Sequence, residues 1–534
     1  LAETNDAHML VGRFGTPSFG TVRDMTNAIR RAQAGSVLNT LELLRIAELL
    51  RVIRSLEEWR MKSASIETKL DMRFNMLAPN KYLETKITTS ILSEDEIADT
   101  ASHNLQDIRR KISIASSKVR ERLDKIIHSA SYQKFLQDSI VTIRGGRFVI
   151  PVKAEFRSSV PGLVHDTSAS GATVFIEPMG VVEANNDIRI LRSKEQAEIE
   201  RILANLSAEI GAYADSMCKS YDILVQLNLI FAKANLAYKM KATAPILNAD
   251  GRIKIKKARH PLIDPEKVVA TDIELGTSFD TLVITGPNTG GKTVTLKTIG
   301  LFSLMAMCGL MIPASDNSEL SVFDDVLADI GDEQSIEQSL STFSAHMTMI
   351  IQILKRANDR SLVLIDELGS GTDPAEGAAL ATAILERLRS MGVRLAATTH
   401  YDEIKRFALE TNGVENGCCE FDIKTLRPTY RLLIGMPGRS NAFAISKSLG
   451  IDDEIILRAE ELVSQENTRF EEVVKKLEDS RSVLEEKLIE AENTKRESEQ
   501  ILKEANEKAE RIEKDAKNEL DLAKAQAGNI EQKI

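Results

Sequence analysis

Apolar and polar positions follow two different patterns in the first half of the chain. From residue 39 to 60, and again from 93 to 131, apolar side chains recur at helical spacing with almost no Gly or Pro, which predicts long helices. Between 140 and 177 the pattern changes to β-branched runs punctuated by Gly and Pro, which predicts a small β module. Helical spacing returns from 182 to 243. We therefore expect the β module to be inserted at the tip of an antiparallel helical pair.

The second half has an α/β pattern followed by a charged helix. The runs IKIKKARHPLI and TLVITGPNTGG read as strands, and the α/β pattern continues to about residue 450. Beyond residue 465, twelve of sixteen heptad a and d positions between Phe470 and Ala523 are apolar, which favours a coiled coil. Four of these positions are polar and many are Ala, so a single solvated helix is the alternative.

Composition changes this picture in three ways. The 534 residues carry a formal net charge of −10, which excludes a wholly basic nucleic-acid coat but permits a local basic surface. The four cysteines have no metal-binding spacing, and Cys418 and Cys419 are adjacent, as expected of reduced thiols in a cytoplasmic protein. The most apolar run, from 299 to 314, is shorter than the ~20 residues that span a bilayer. We expect this run to form a buried helix, and we expect no membrane partner.

A phosphate-binding motif lies between an apolar strand and a predicted helix. Residues 286–293 read GPNTGGKT, and the strand-to-helix context makes this G-x-x-x-x-G-K-T pattern specific. Its glycines let backbone N–H groups approach phosphate oxygens at the N-terminus of the helix. Lys292 would contact the β- and γ-phosphates of ATP, and the Thr293 hydroxyl would bind Mg²⁺. The other motif residues predicted to bind ATP are Gly286, Pro287, Thr289, Gly290 and Gly291.

An acidic pair follows a later buried strand. The apolar run of SLVLIDELGSGTDP, residues 361–374, ends at Asp366 and Glu367, at the end of a parallel strand where ligands bind. Asp366 would hold Mg²⁺ through water, and Glu367 would orient and deprotonate the attacking water. A further strand, in LAATTHYDE, ends near His400, which we expect to hydrogen-bond the γ-phosphate or the water. A structural histidine and a helix-capping or solvated acidic pair are the alternatives.

The stretch SLSTFSAHM, residues 339–347, places a cluster of hydroxyls before a predicted helix. Ser341 or Thr342 can cap that helix, which continues to Leu354. Since the N-terminus of a capped helix is also an anion site, the same group can contact a γ-phosphate that another subunit holds. ATP would then close a homodimer, because half of each site would come from the partner.

Four of these motifs together resemble the MutS family of ATPases: GPNTGGKT, STFSAHM, DELGSGTDPAEGAALA and TTHYDE. The resemblance covers nearly the whole chain, and it is strongest to the branch that suppresses recombination and acts on collided ribosomes. It implies two composite ATP sites in a dimer of ABC-type heads. By the same resemblance, Asn288 belongs to the phosphate loop, Ser341 is the contact in trans, and His400 is a switch histidine. Residues 438–444 would belong to a helical element that supports dimerisation.

With this resemblance, the predicted fold is a multidomain α and α/β protein. It has a helical lever with a small β-containing clamp, a P-loop ABC-type ATPase head and a C-terminal coiled coil. The predicted segments are the first part of the lever (1–135), the clamp insertion (136–182), the return part of the lever (183–250), the ATPase domain (251–464) and the coiled-coil helix (465–534).

Two departures from the family pattern limit what the resemblance implies. Mismatch-repair members carry an N-terminal domain with a Phe-x-Glu wedge, whereas this sequence starts in lever-like helices. Phe175-Ile176-Glu177 has the same letters, but it lies in a predicted strand, and we do not expect it to read mismatches. Relatives in the branch usually continue into a small basic domain associated with nuclease activity. We expect no endonuclease activity from the present segment.

The β module supplies the candidate nucleic-acid contacts. Arg144, Arg147, Lys153 and Arg157 would contact phosphates of DNA or RNA without reading bases, although an ordinary solvated hairpin has the same composition. The resulting hypothesis is a dimeric ATPase clamp that acts on collided ribosomes and their rRNA or on branched DNA. The alternative is a non-catalytic scaffold that uses ATP as a latch and recruits partners through the coiled coil. Glu367 argues against that alternative, since a latch needs no catalytic base.

Overall fold

Two units with separate internal contacts divide the chain, the first from Leu1 to Tyr238 and the second from Lys239 onward. The computed structural model describes residues 1–286, 290–331, 342–422, 427–438 and 442–462, together with scattered positions from 476 to 508. At those scattered positions the backbone is helical and the side chains are exposed. The pairing of this helix in a coiled coil stays a prediction.

The first unit is mainly helical. Its helices are α1 (Ala2–Phe14), α2 (Thr26–Gln33), α3 (Thr40–Lys62), α4 (Asp71–Asn75), α5 (Lys81–Ser90), α6 (His103–Ile127), α7 (Ala130–Gln133), α8 (Met179–Ala212) and α9 (Ala214–Met240). Its strands are β1 (Ile91–Ser93), β2 (Glu96–Ile97), β3 (Thr142–Arg144), β4 (Arg147–Lys153), β5 (Gly162–Thr167) and β6 (Thr173–Pro178). Asn39 and Glu42 form a capping box at the start of α3, which fixes where that helix begins. Apolar side chains of this helix, including Leu43, Ile46 and Leu50, are buried in one core with side chains of α9 and α5.

A four-stranded antiparallel sheet interrupts the helices in the order β3-β4-β6-β5. Alternate residues of β4 and β6 point to one face, as the two-residue period of a strand requires. That face packs on the ends of two helices, so that Val119 and Leu123 of α6 and Val181 of α8 share one core with Ile150 and Ile176. The sheet therefore has no core separate from these helix ends.

Helices α6 and α8 run antiparallel beside each other. The Arg109 guanidinium donates to the Glu195 carboxylate at 2.7 Å, which joins the first part of α6 to the middle of α8. At the other end of α6, Arg122 donates to the Gly180 carbonyl at 3.3 Å, next to the start of α8. The β module thus lies at the end of an antiparallel helical pair. The bounds of the lever and clamp segments stay predictions.

The second unit is built on sheets covered by helices. Its strands are β7 (Ile246–Asn248), β8 (Ile253–Ala258), β9 (Thr271–Leu275), β10 (Thr281–Thr285), β11 (Glu319–Ser321), β12 (Asp325–Asp329), β13 (Ser361–Ile365), β14 (Arg394–Thr398), β15 (Val414–Asp422) and β16 (Arg427–Ile434). Its helices are α10 (Lys292–Met307), α11 (Thr342–Arg356), α12 (Pro374–Ser390), α13 (Asp402–Glu410), α14 (Ala442–Ser448) and α15 (Asp453–Leu462). One sheet has the order β12-β13-β14-β10-β15-β16, and a smaller one the order β7-β11-β8-β9.

Helices cover both faces of the six-stranded sheet. Its first five strands are parallel and β16 is antiparallel. Leu282 and Ile284 of β10 belong to the core that includes α10, whereas Val283 belongs to the core that includes α11, α12 and α13. A strand buried on both sides needs a continuous apolar run, as the sequence of β10 has. The mixed α and α/β architecture predicted from the sequence is confirmed.

The apolar run from 299 to 314 begins inside α10, and Ile299 and Phe302 are fully buried there. Across the described part of the chain, no helix combines the length and the apolar character that a bilayer crossing demands. Cys218, Cys308, Cys418 and Cys419 form no disulfide bond with one another.

Candidate active site

The phosphate loop begins where β10 ends and closes where α10 begins. Gly286 has a φ of +120° and Gly291 a φ of +95°, a region that side chains rarely adopt. A Cβ at Gly286 would lie 3.2 Å from the Cys419 carbonyl oxygen. Glycine is therefore required by backbone conformation at both positions. Pro287, Asn288 and Thr289 lie outside the described residues, and Gly290 is buried.

The Lys292 side chain is buried at the start of α10 and is only 2% exposed. Its ammonium donates to the Gly286 carbonyl at 2.8 Å and to His400 Nε2 at 2.9 Å. Burial lowers the pKa of Lys292 to about 8, although the nearby carboxylates of Glu367 and Asp366 oppose this shift. The ammonium is thus desolvated and hydrogen-bonded to neutral groups. A phosphate group would supply a directly bonded counter-charge.

His400 follows β14 and faces the phosphate loop. Its pKa is lowered because the imidazole is partly desolvated and lies near the ammonium groups of Lys292 and Lys405. At neutral pH the ring is therefore uncharged, and Nε2 accepts the hydrogen bond from Lys292. His400 therefore lies beside the phosphate loop with Lys292 as its hydrogen-bond partner, and its contact with the γ-phosphate or the water stays a prediction.

Asp366 and Thr293 bring the ends of two elements together. The Thr293 hydroxyl, in the first turn of α10, donates to Asp366 Oδ2 at 2.7 Å. Asp366 follows β13 and is 8% exposed, and its own N–H donates to the Asp329 carbonyl at 2.8 Å. One hydroxyl and one carboxylate oxygen thus face each other. This donor pair fits Mg²⁺, which usually takes one or two protein ligands and completes its shell with phosphate and water.

Thr293 and Asp366 form the whole of this candidate metal site as the structure describes it. Within the described ranges there is no group of three or more His, Cys, Asp or Glu side chains arranged to hold a metal ion. A Mg²⁺ ion held by these two side chains would take its remaining ligands from phosphate and water.

Glu367 adopts a left-handed backbone conformation with a φ of +49°. Such a conformation is strained for a residue with a side chain, and strain of this kind often marks functional sites. Its N–H donates to the Thr398 hydroxyl at 2.8 Å, and its carbonyl accepts from Ser370 at 3.0 Å. The half-buried side chain lies near enough to Lys292 for its charge to raise the lysine pKa.

The segment proposed to act in trans is only partly described. Ser341 lies outside the described residues, and α11 begins at Thr342. A Cβ on Gly371, in the loop after Glu367, would lie 3.2 Å from the Phe343 Cβ, so the first turn of α11 adjoins that loop. His346 Nδ1 lies 3.0 Å from Asp329 Oδ2. The sequence analysis did not assign a role to this pair, although His346 stands within the STFSAHM motif.

Residues 438–444 are also only partly described. The Gly438 N–H donates to the Thr285 hydroxyl at 2.7 Å, and a Cβ on Gly438 would lie 2.9 Å from the Gly286 nitrogen. This segment therefore passes directly beside the start of the phosphate loop. Residues 439–441 lie outside the described residues, and α14 begins at Ala442.

A cavity of about 260 Å³ opens beside Gly291. Its wall is mostly apolar and is formed by three stretches that are far apart in the sequence. No local sequence motif could therefore predict it. The lining includes His260, Ile263, Val269, Val294 and Tyr430. Burial and the charge of Lys297 lower the pKa of His260 and favour its neutral form. The cavity can accept the part of a ligand that extends away from the phosphate loop.

The four cations of the β module have different surroundings. Arg147 is 13% exposed and donates to both oxygens of Glu177, at 2.8 and 2.9 Å. Glu177 is fully buried and also lies 2.5 Å from His165 Nε2. This network occupies the Arg147 guanidinium inside the module and makes Glu177 a structural carboxylate.

The other three cations are more accessible. Arg157 is exposed, Lys153 is half-buried, and Arg144 stacks on the Phe175 ring with 4.3 Å between its guanidinium carbon and the ring centroid. These three cations are therefore accessible at the surface, whereas Arg147 is not.

The comparisons with known proteins identify relatives of most of the chain. Residues 282–467 match the family model described as MutS domain V. A protein of Acetivibrio thermocellus is 54% identical over 480 residues, which cover 89% of this chain and 60% of the relative. A protein of Ruminiclostridium cellulolyticum is 53% identical over 490 residues, covering 91% and 62%. Both relatives carry the name Endonuclease MutS2. The chain thus spans about 60% of the length of these relatives.

Proposed function

This chain belongs to the MutS family as a MutS2-type member, and from that premise we propose that it is a dimeric ATPase clamp acting on nucleic-acid assemblies. The observation that carries the ATPase part is the 2.7 Å hydrogen bond between Thr293 and Asp366, beside the buried ammonium of Lys292. It brings the helix that follows the phosphate loop against the acidic pair. Such an arrangement supports phosphate binding by Lys292 and metal binding by Thr293 and Asp366.

Each residue of the site then has a distinct role in ATP hydrolysis. Lys292 and the N–H groups of the phosphate loop bind the phosphates, and the cavity beside Gly291 leaves room for the nucleoside. Mg²⁺, when bound by Thr293 and Asp366, would neutralise charge on the phosphate oxygens. Glu367 accepts a proton from water, and His400 stays neutral and hydrogen-bonds the phosphate or the water. Of the other loop residues, Pro287, Asn288, Thr289 and Gly290 would contribute backbone or side-chain contacts to the phosphates.

The dimer follows from the role proposed for Ser341. If Ser341 completes the site of the partner, Lys292→Ala and Ser341→Ala chains should each be inactive alone, yet their heterodimer should hydrolyse ATP. The heterodimer would contain one composite site with both residues intact. ATPase rates of separately tagged, co-purified heterodimers measure this.

A matched control uses two residues from the same half of the site. Mixing Lys292→Ala with Glu367→Gln should restore no activity, because every composite site in that heterodimer lacks one of the two. The dimer proposal fails if the first mixture stays as inactive as this control in confirmed heterodimers.

We further propose that the clamp engages collided ribosomes, splitting them for rescue, or branched DNA, suppressing recombination. Crosslinking in cells followed by sequencing of the bound nucleic acid separates the two substrates. Enrichment of ribosomal RNA supports the first and enrichment of chromosomal DNA the second, whereas enrichment of neither contradicts the clamp. The endonuclease activity in the names of the relatives belongs to proteins of which this chain spans about 60%, and we propose no nuclease activity for the present segment.

The accessible cations of the β module should carry sequence-independent binding. Changing Arg144, Lys153 and Arg157 together to Gln should weaken binding to DNA or RNA duplexes of unrelated sequence to a similar degree. The slope of log affinity against log salt concentration should flatten by about one for each phosphate that the variant no longer binds. Fluorescence anisotropy titrations at several salt concentrations measure both effects.

The control replaces exposed cations of the same unit outside the module. Arg13→Gln and Lys62→Gln remove surface charge from α1 and α3 and should leave the salt slope unchanged. If the module variant and wild type have equal slopes of log affinity against log salt concentration, the nucleic acid does not bind at these three cations.

The scaffold alternative differs from the clamp in one measurable property. A chain that binds ATP only as a latch would release no phosphate, whereas the acidic pair beside Thr293 favours hydrolysis. Coiled-coil recruitment of partners is compatible with both functions and does not separate them.

A further inference from the structure

The last residue of β14, Thr398, hydrogen-bonds to the acidic pair through its side chain and to the following residue, Leu368, through its backbone. Thr398 is fully buried, with 0% of its surface exposed. It lies on the strand next to β13, where Ile365 pairs with Ala397. The first residue beyond β13 therefore lies beside Thr398. The sequence analysis assigned Thr398 no role, because the chemistry-bearing residue of TTHYDE was taken to be His400.

Three consecutive residues hydrogen-bond to Thr398. Its hydroxyl donates to Asp366 Oδ1 and accepts the Glu367 N–H at 2.8 Å. Its carbonyl accepts the Leu368 N–H at 3.0 Å. One buried threonine thus binds the proposed metal ligand, the backbone of the proposed base and the residue that follows.

The hydroxyl bond fixes which oxygen of Asp366 is available. A threonine hydroxyl has a single proton, and here the carboxylate takes it while a lone pair accepts the Glu367 N–H. With Oδ1 held by Thr398, Oδ2 is directed at the Thr293 hydroxyl at 2.7 Å. Rotation of the carboxylate would break both bonds in a buried site, where unpaired polar groups are costly.

The same hydroxyl supports the strained backbone of Glu367. In the left-handed conformation, with a φ of +49°, the N–H of Glu367 turns to the Thr398 side chain. Without that acceptor, the N–H would lose its partner and the conformation would lose one of its supports. The direction of the Glu367 side chain depends on this conformation.

We propose that Thr398 is a positioning residue for ATP hydrolysis: its hydroxyl orients the Asp366 carboxylate for the metal and holds Glu367 in place for the water. The inference rests on the proposed ATPase function. It differs from a purely structural role because it predicts a loss of metal affinity. Groups that orient metal ligands typically contribute ~10- to 100-fold to metal affinity or activity.

The test compares three variants with wild type. Thr398→Val replaces the hydroxyl by a methyl group, and Thr398→Ser keeps the hydroxyl. Thr281→Val is the control, since it makes the same Thr-to-Val change at a fully buried threonine that lies at the end of β10 away from the phosphate loop. Mn²⁺ binding to the full chain with ADP, followed by electron paramagnetic resonance, gives a readout that does not require turnover. Steady-state ATPase assays give kcat and KM.

Thr398→Val should weaken Mn²⁺ binding by ~10- to 100-fold and lower kcat by a comparable factor, with a smaller change in the KM for ATP. Thr398→Ser should return both readouts to near the wild-type values, and Thr281→Val should leave Mn²⁺ affinity unchanged. If the valine variant does not fold, Thr398→Cys offers the same comparison, since a thiol is a weak donor. Its Mn²⁺ affinity and kcat should both fall below those of the serine variant.

Two results separate this inference from the proposed function. Wild-type protein that hydrolyses ATP, together with a folded valine or cysteine variant of unchanged Mn²⁺ affinity and kcat, would overturn the positioning role alone. Wild-type protein that binds no nucleotide would overturn the ATPase proposal and this inference with it.

Discussion

Glu367→Gln should leave ATP binding close to that of wild type and lower single-turnover hydrolysis by ~10²- to 10⁴-fold, the usual contribution of a general base. Glutamine has nearly the same shape and can still hydrogen-bond the water, but it cannot take up a proton. The left-handed backbone at this position is equally strained for both side chains. Rapid mixing of excess protein with labelled ATP, followed by quenching, measures the hydrolysis step directly.

A nearby glutamate provides the matched control. Glu376 lies in the first turn of α12 and is exposed. Glu376→Gln therefore makes the same chemical change a short distance along the chain, outside the proposed site. It should hydrolyse ATP at the wild-type rate. Equal hydrolysis by Glu367→Gln and wild type would remove Glu367 from its role as the base.

Lys292→Ala should weaken ATP binding by ~10²-fold or more, because it removes a desolvated charge that the phosphates would otherwise pair with. Lys254→Ala, at an exposed position of β8, controls for loss of a positive charge and should bind ATP normally. Titration with a fluorescent ATP analogue measures both affinities. Wild-type affinity in Lys292→Ala would contradict the assignment of the phosphate loop.

The affinity of wild type should also depend on pH in a defined direction. In the free protein the pKa of Lys292 is about 8, and bound phosphate favours the ammonium form, so this pKa is higher in the complex. Above pH 8, binding must therefore take up a proton, and affinity should fall by up to ~tenfold per pH unit until the pKa of the complex is reached. Lys292→Ala should lack this fall, and an identical slope in the variant would assign the proton to another group.

Local sequence patterns were sufficient for the phosphate loop and the acidic pair. Strand β10 reads as a continuous apolar run, the glycines after it need positive φ angles, and the lysine follows at the helix start. Asp366 and Glu367 end a second apolar run in the same way. These features depend on residues close together in sequence, so the spacing alone predicts them.

Contacts between distant residues were not accessible to the same reasoning. Arg147 looks like a surface cation in sequence, but Glu177, thirty residues later, binds it inside the module. Strand β10 comes before β13 and β14 in the chain, yet it lies between β14 and β15 in the sheet. Such pairings depend on which strands become neighbours, and no local pattern records that.

Thr398 shows the same limit at the site itself. Its position at the end of a predicted strand was readable, but the direction of its hydroxyl depends on the conformation of Glu367. A positive φ at a glutamate is not encoded in its residue type, because most residues in that region are glycines. The positioning of the acidic pair therefore emerges only from the folded geometry.

The core that the β module shares with the ends of α6 and α8 has a mechanical consequence. Since the sheet has no separate core, it cannot swing on those helix ends without exposing apolar side chains such as Val119 and Ile150. A force on the sheet is instead transmitted along two continuous helices. At 1.5 Å per residue, α6 is roughly 37 Å long and α8 roughly 50 Å long. Bending of α6 and α8 must then occur away from the module. A small rotation at the far ends of these two helices therefore displaces the sheet by a large distance.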